Sequence, residues 1–234
     1  YDPIPVRPGA HYHMGGIDTD VLGRTSLPGL YAAGEVACVS AHGANRLGGN
    51  ALMETITYGR RSGQAAADEA RELGPSNAVS ESLSSDAEFE IGELLDRAQG
   101  ERPHGIRDEL ASTMHENFGV FRRQEQMLRQ GEIINGLRER YERVVVDDKG
   151  SVFNSDLTQA IELGFLLDLA ACMIPAGVAR KESRGAHARP HDYPERDDEN
   201  FLKHTMITMN ASGELELGWE DVRITKWPPG ERTY

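Results

Sequence analysis

"AAGEVACVSAHGANRLGGNAL", residues 32–52, decides how this chain is read. Two alanines run into Gly34 and Glu35, and a small-residue segment leads to His42. A turn with three glycines (Gly43, Gly48 and Gly49) then carries one arginine, Arg46, and opens onto Asn50, Ala51 and Leu52. A glycine there lets the backbone approach a ligand closely. The first amides and the dipole of a helix attract negative charge. An arginine at the same place grips a carboxylate with two parallel hydrogen bonds. The stretch therefore predicts a strand, a glycine turn, and a helix start that meets an anion.

Working outward, "PGLYAAGEV", residues 28–36, predicts a short buried strand ending at the glycine turn. In open α/β folds ligands lie outside the carboxyl ends of strands, which puts Glu35 beside one. An ionised Glu35 accepts hydroxyl hydrogen bonds, or backbone amides in its own turn. Downstream, "NALMETITYGRRSGQAAADEARELG" has helical spacing. Leu52, Ile56, Gly59 and Gly63 fall on one face with the charges opposite, and Gly74-Pro75 ends the helix. Upstream, "HYHMGGIDTD", residues 11–20, flanks Tyr12 with His11 and His13 before two glycines. On a strand both histidines share a face. No third ligand stands at metal spacing, so no metal site is expected.

Residues 75–101 are Ser- and acid-rich and are expected to be a linker, with "NAVSESLSSDAEFE" mobile. Helical periodicity resumes. Ile106, Leu110, Met114 and Phe118 repeat in near-heptad register; Met127, Leu128, Ile133, Ile134, Leu137 and Tyr141 continue it. A helix capped by Asn154 or Ser155 is apolar nearly all round and is expected at the centre of a bundle. "ARKESRGAHARPHDYPERDDENFLKHT", residues 179–205, predicts a salt-bridged helix end and an extended loop with a structural or interface role. Alternation around "NASG", residues 210–213, predicts a hairpin.

The chain has 234 residues and a formal charge of −13, which argues against nucleic acid as a partner. Cys38 and Cys172 are its two cysteines, too few for a disulfide framework, and a reducing compartment is expected. Asp168 interrupts the longest apolar run, so no membrane span is expected. The chain opens on Tyr1 and contains no G-x-G-x-x-G phosphate loop, so a piece of a longer subunit is expected.

"HYHMGGI", "GLYAAGE", "HGANRLGGNAL", "ARKESRGAHAR" and "PERDDENFLKHT" together resemble the flavoprotein subunits of succinate dehydrogenase and fumarate reductase. The tail "DVRITKWPPGERTY" leans toward fumarate reductase. The resemblance implies an α/β fragment of an FAD-binding fold (residues 1–74), a linker, an all-α helical bundle (102–191), and an extended tail with a β-hairpin (192–234). It implies FAD as cofactor and succinate or fumarate as dicarboxylate substrate. An iron–sulfur subunit would take the electrons, with membrane anchor subunits beyond it, on the cytoplasmic side of the inner membrane. By matching positions, His11 and Arg46 would bind the substrate; His42, from its place in the turn alone, donates to the same anion or merely orients the loop. Glu35 would hold the FAD ribityl chain. Ala51 and Leu52 would lie with their backbone against the flavin's pyrimidine edge, next to Asn50, whose amide belongs to the same bare helix start. The family usually has serine where Ala51 stands, so a side-chain hydrogen bond is lost there. His13 departs from the family's usual threonine and receives no role.

The family's phosphate loop, its FAD-linking histidine and its proton-shuttling arginine lie upstream of these motifs. The 234 residues alone are therefore expected neither to bind FAD tightly nor to turn over. L-aspartate oxidase shares "HGANRL", but its chain is expected to end sooner after "KESRGAHAR". A subunit-docking module that merely retains the flavin motifs is the alternative from another class.

Overall fold

The computed structural model describes residues 3–5, 11–75, 81–210 and 212–230. Most of the Pro-rich opening, the start of the expected linker (76–80), Ala211 of the expected turn and the last four residues of the tail lie outside them. The chain divides into two compact units, Tyr1–Val79 and Ser80–Tyr234.

In the first unit, β1 (Ile17–Asp18) pairs in parallel with β2 (Ala37–Cys38), Ile17 opposite Ala37. Gly16 makes the pairing possible. Its φ is +123°, and a Cβ on it would stand 2.3 Å from the Val36 carbonyl oxygen, a separation only glycine tolerates. Between the strands the chain makes a narrow hairpin with one bridge, Arg24 to Tyr31, steadied by the Asp20 carboxylate accepting from the amides of Leu22 and Arg24. The strand expected over 28–36 is thus reduced to this bridge at Tyr31, and the paired segment starts after the glycine turn. The reason is local: Thr25 and Leu30 close the hairpin on themselves through Thr25 N to Leu30 O and the Thr25 hydroxyl to the Leu27 and Leu30 carbonyls.

Helix α1 runs Asn50–Leu73 and ends at Gly74, whose φ of 70° and bond to the Ala70 carbonyl stop it. Its inward face is Glu54, Ser62 and Ala65, not the expected Leu52, Ile56, Gly59 and Gly63. Leu52 and Ile56 are 68% and 63% exposed. Close approach decides this: Gly23 abuts Ser62, where a Cβ would fall 2.7 Å from the Ser62 side chain, so only small or hydrogen-bonded groups fit under the hairpin.

The second unit opens with α2 (Glu81–Asp96), so the expected linker is largely helical. Glu, Ala and Leu are strong helix formers and outweigh the serines; Leu94, Leu95 and Arg97 at its C-terminal end are half-buried. Helices α3 (Pro103–Phe118), α4 (Gln124–Tyr141) and α5 (Ser155–Ala179) follow up-down-up, and their core includes Ile106, Leu110, Met127, Ile134, Leu163 and Leu167. Asn154 caps α5, accepting from Leu157 N at 2.8 Å. Gly164 and Gly177 bring α5 close to its neighbours: a Cβ on them would meet the Tyr141 hydroxyl at 2.7 Å and the Phe118 ring at 2.6 Å. Between α3 and α4, Asn117 donates to Gln130, which donates to Thr113, so the buried amides are satisfied.

Helix α4 packs against both α3 and α5. Helix α5 packs against α3, α4 and the two strands that follow it, but it is not buried all round as its composition suggested: Phe165 and Leu169 stay exposed. Over its 25 residues α5 is also long and apolar enough to cross a membrane by length and composition alone. Its seam of Ala160, Leu163 and Leu167 lies in the bundle core, and Asp168 pairs with Arg138 at 3.0 Å.

The segment after α5 is an ion-pair lattice, as its charge pattern led one to expect. Buried Glu182 accepts from Arg180, from Arg184 Nε at 2.9 Å and from Asp197 N at 3.0 Å. Buried Arg189 donates to the Val178 and Arg180 carbonyls, closing the helix end, and to Asp192 at 3.0 Å. A short helix, α6 (Asp198–Phe201), leads into the hairpin of β3 (Lys203–Met209) and β4 (Leu215–Asp221), with Met209 opposite Leu215. The Asn210 carboxamide oxygen accepts from Ser212 N and Glu214 N and holds the turn.

Candidate functional site

The first unit brings three of its segments together: residues 11–13, the turn 34–46, and the start of α1. Tyr12 is half-buried while His11 and His13 remain exposed, and residues 11–13 form no strand. Glu35, beside Gly34 in the turn before β2, accepts from the His13 amide at 3.0 Å and ties the first segment to the second. Gly34 has φ 83°, and a Cβ on it would stand 3.4 Å from the Thr55 hydroxyl of α1. Glu35 thus has the backbone role its turn position allowed, and its exposed side leaves the second oxygen accessible to a ligand hydroxyl.

Under this surface sits a compact polar cluster. The Glu54 carboxylate, with 4% of its side chain exposed, accepts from the Tyr12 hydroxyl and lies in contact with His42 Nε2. Tyr12 and His42 meet edge-to-face, with ring centroids 5.1 Å apart and planes at 85°. The Arg46 guanidinium lies over the Tyr12 ring, 5.1 Å from its centroid, and Nη1 donates to the Leu47 carbonyl at 3.1 Å. Burial, reinforced by the hydrogen bond to Glu54, pushes the Tyr12 phenol well above its ordinary range, so it stays a donor at any physiological pH.

The helix start lies next to the cluster. Gly49 precedes α1 with φ 83° and caps it with no side chain. Asn50 N donates to the Leu47 carbonyl at 3.2 Å, and Ala51 is half-buried. The bare first turn carries the positive end of the helix dipole with apolar Leu52 and Met53 exposed beside it. A flat ligand with an electron-rich polar edge suits such a surface. Two buried nitrogens of the cluster, Arg46 Nε and His42 Nδ1, have no hydrogen-bond partner among the described residues. A buried guanidinium donor left open is costly unless an acceptor completes it. These features fit an anion on Arg46 and an FAD edge at the helix start.

The structure therefore gathers Glu35, His42, Arg46, Asn50, Ala51 and Leu52 around one end of α1, with His11 exposed next to Tyr12. Sequence reasoning missed Tyr12 and Glu54. Glu54 had been placed among the charges on the solvent side of α1. The available signal was its spacing: it follows Asn50 and Ala51 by four and three residues and so shares their face.

Comparison with known proteins yields a family model described as the fumarate reductase flavoprotein C-terminus over residues 107–234, and an FAD binding domain over residues 1–52. The fumarate reductase flavoprotein subunit of Mycobacterium tuberculosis H37Rv is 46% identical over 237 residues, covering 99% of this chain and 40% of the relative. That of Escherichia coli K12 is 45% identical, covering 100% and 39%. A solved structure of an E. coli quinol fumarate reductase mutant superposes with a TM-score of 0.92 at 44% identity, over 98% of this chain and 40% of that one. Mycobacterium smegmatis Sdh1 in complex with UQ1 gives a TM-score of 0.82 at 32% identity, over 92% and 36%. The chain spans about two fifths of the length of the curated relatives it matches.

Proposed function

Because the chain belongs to the fumarate reductase flavoprotein family, we propose that it forms the C-terminal part of an FAD-dependent subunit that interconverts fumarate and succinate. FAD, when bound, supplies hydride exchange with the dicarboxylate. The residues of this chain hold and orient the reactants. Arg46 takes one substrate carboxylate in a bidentate grip, and exposed His11 donates to a carboxylate of the same molecule. Fixing the dicarboxylate against the flavin lowers the orientation cost of the transfer. The bare start of α1, at Asn50, Ala51 and Leu52, stabilises the negative charge that the flavin's pyrimidine edge gains on reduction. Glu35 accepts from ribityl hydroxyls. His42 lies beneath Arg46's neighbour Tyr12 and supports the site from below, without substrate contact.

The observation that carries this reading is Arg46 itself: a guanidinium stacked on an anchored ring beside an uncapped helix start, with Nε open. Electrons would pass to an iron–sulfur subunit, and membrane anchor subunits would hold the assembly on the cytoplasmic face of the inner membrane. In the full-length FAD-loaded subunit, Arg46→Gln should lower kcat/KM for fumarate by on the order of a hundredfold, from the loss of about 3 kcal/mol of charge-assisted contact. FAD content should not change. Retained kcat/KM in that variant would overturn the reading.

A further inference from the structure

The buried carboxylate of Glu54 has no place among the contacts just assigned, yet it is the best-shielded acid among the described residues of the first unit. It lies one turn into α1, beneath the site. Its Oε2 meets the Tyr12 hydroxyl and His42 Nε2 together, and the Tyr12 hydroxyl and His42 Nε2 are themselves 3.2 Å apart. A carboxylate is acceptor-only, so Tyr12 is the donor and its ring has one orientation. The face of that ring is the floor on which the Arg46 guanidinium rests. The His42 ring packs edge-on against the Tyr12 ring, at 85°.

We infer that Glu54 and Tyr12 are positioning residues for the dicarboxylate clamp: Glu54 fixes the Tyr12 hydroxyl, and the Tyr12 ring fixes the Arg46 guanidinium in the plane that receives a substrate carboxylate. The inference rests on the dicarboxylate reading of Arg46. It assigns Glu54 no contact with substrate. A flexible arginine loses freedom when it grips a carboxylate, and a ring already beneath it removes part of that cost before substrate arrives. The negative Glu54 also faces the ring from the hydroxyl end and so favours a cation on its face.

The test is a double-mutant cycle in the full-length FAD-loaded subunit, read by calorimetric titration with malonate, a dicarboxylate that cannot exchange hydride. Tyr12→Phe keeps the ring and removes its anchor; Glu54→Gln keeps the shape and removes the charge. Each should weaken malonate about tenfold in the wild-type background and less than about twofold in an Arg46→Gln background. FAD content should match wild type throughout. Tyr12→Phe serves as the deciding variant if Glu54→Gln does not fold. Equal weakening in both backgrounds, or none in either, overturns the positioning role, because a general structural defect would not act through Arg46. If Arg46→Gln alone leaves malonate affinity unchanged, the dicarboxylate reading itself fails, and the positioning role with it.

Discussion

Gly16 shows how much of the site depends on one backbone position. With φ at +123° and the Val36 carbonyl oxygen 2.3 Å from where a Cβ would be, alanine there must push β1 away from β2. Residues 11–13 enter the site directly ahead of this glycine. Gly16→Ala should destabilise the full subunit by about 2 kcal/mol or more, seen in thermal unfolding, and should lower FAD occupancy as well. At this scale the sequence was informative where chemistry is local. Arg46 in a glycine turn and Glu35 beside Gly34 stand out as candidates from residue type and neighbours. Tyr12 and Glu54 do not, since a half-buried tyrosine and a buried glutamate become a pair only once residue 12 meets α1.

The helices were legible by period, but which side faces inward was not. In α1 the apolar stripe is exposed and a glutamate is buried, because close packing of Gly23 on Ser62 selects small inward residues. In α5 uniform apolarity hid the seam that Gly164 and Gly177 mark. Gly177→Ala should cost about 1 kcal/mol net, since overpacking against Phe118 of about 1–3 kcal/mol outweighs a helix-propensity gain of about 1 kcal/mol. Thermal unfolding should register a drop of a few degrees.

The segment after α5 adds a pH dependence. His187 donates from Nε2 to the Arg180 carbonyl and accepts at Nδ1 from Arg122 at 2.8 Å. Burial, with Arg122 adding to it, pulls the His187 imidazole down to about 4 from its ordinary 6.5. Between those values the unfolded chain binds the extra proton. The stability this contributes is complete above pH 6.5 and is lost as pH falls toward 4. Urea unfolding of the subunit should therefore lose about 2 kcal/mol between pH 7 and pH 5, and His187→Gln should flatten that slope. An unchanged slope in the variant would locate the titration elsewhere.

On the scale of the whole molecule, the chain comprises two compact units and about two fifths of the length of its relatives. The helical bundle and the hairpin were both legible from periodicity. Helix α2 was not, because its serines and acids are equally the composition of a linker, while Glu, Ala and Leu carry the helix propensity. The G-x-G-x-x-G phosphate loop of dinucleotide folds is not in the sequence. The isolated 234 residues should accordingly bind FAD far more weakly than the full-length subunit, by fluorescence titration, and show no fumarate reduction. Turnover by the isolated chain would contradict this.

The central claim is that Arg46, held on the Tyr12 ring, clamps the dicarboxylate beside the start of α1. A crystal structure of the full-length subunit with bound malonate tests it most directly. The account predicts a malonate carboxylate within about 3 Å of two Arg46 nitrogens, with the guanidinium still over Tyr12 and the Tyr12 hydroxyl still on Glu54. Malonate held by other residues, with Arg46 turned away from it, would contradict the account.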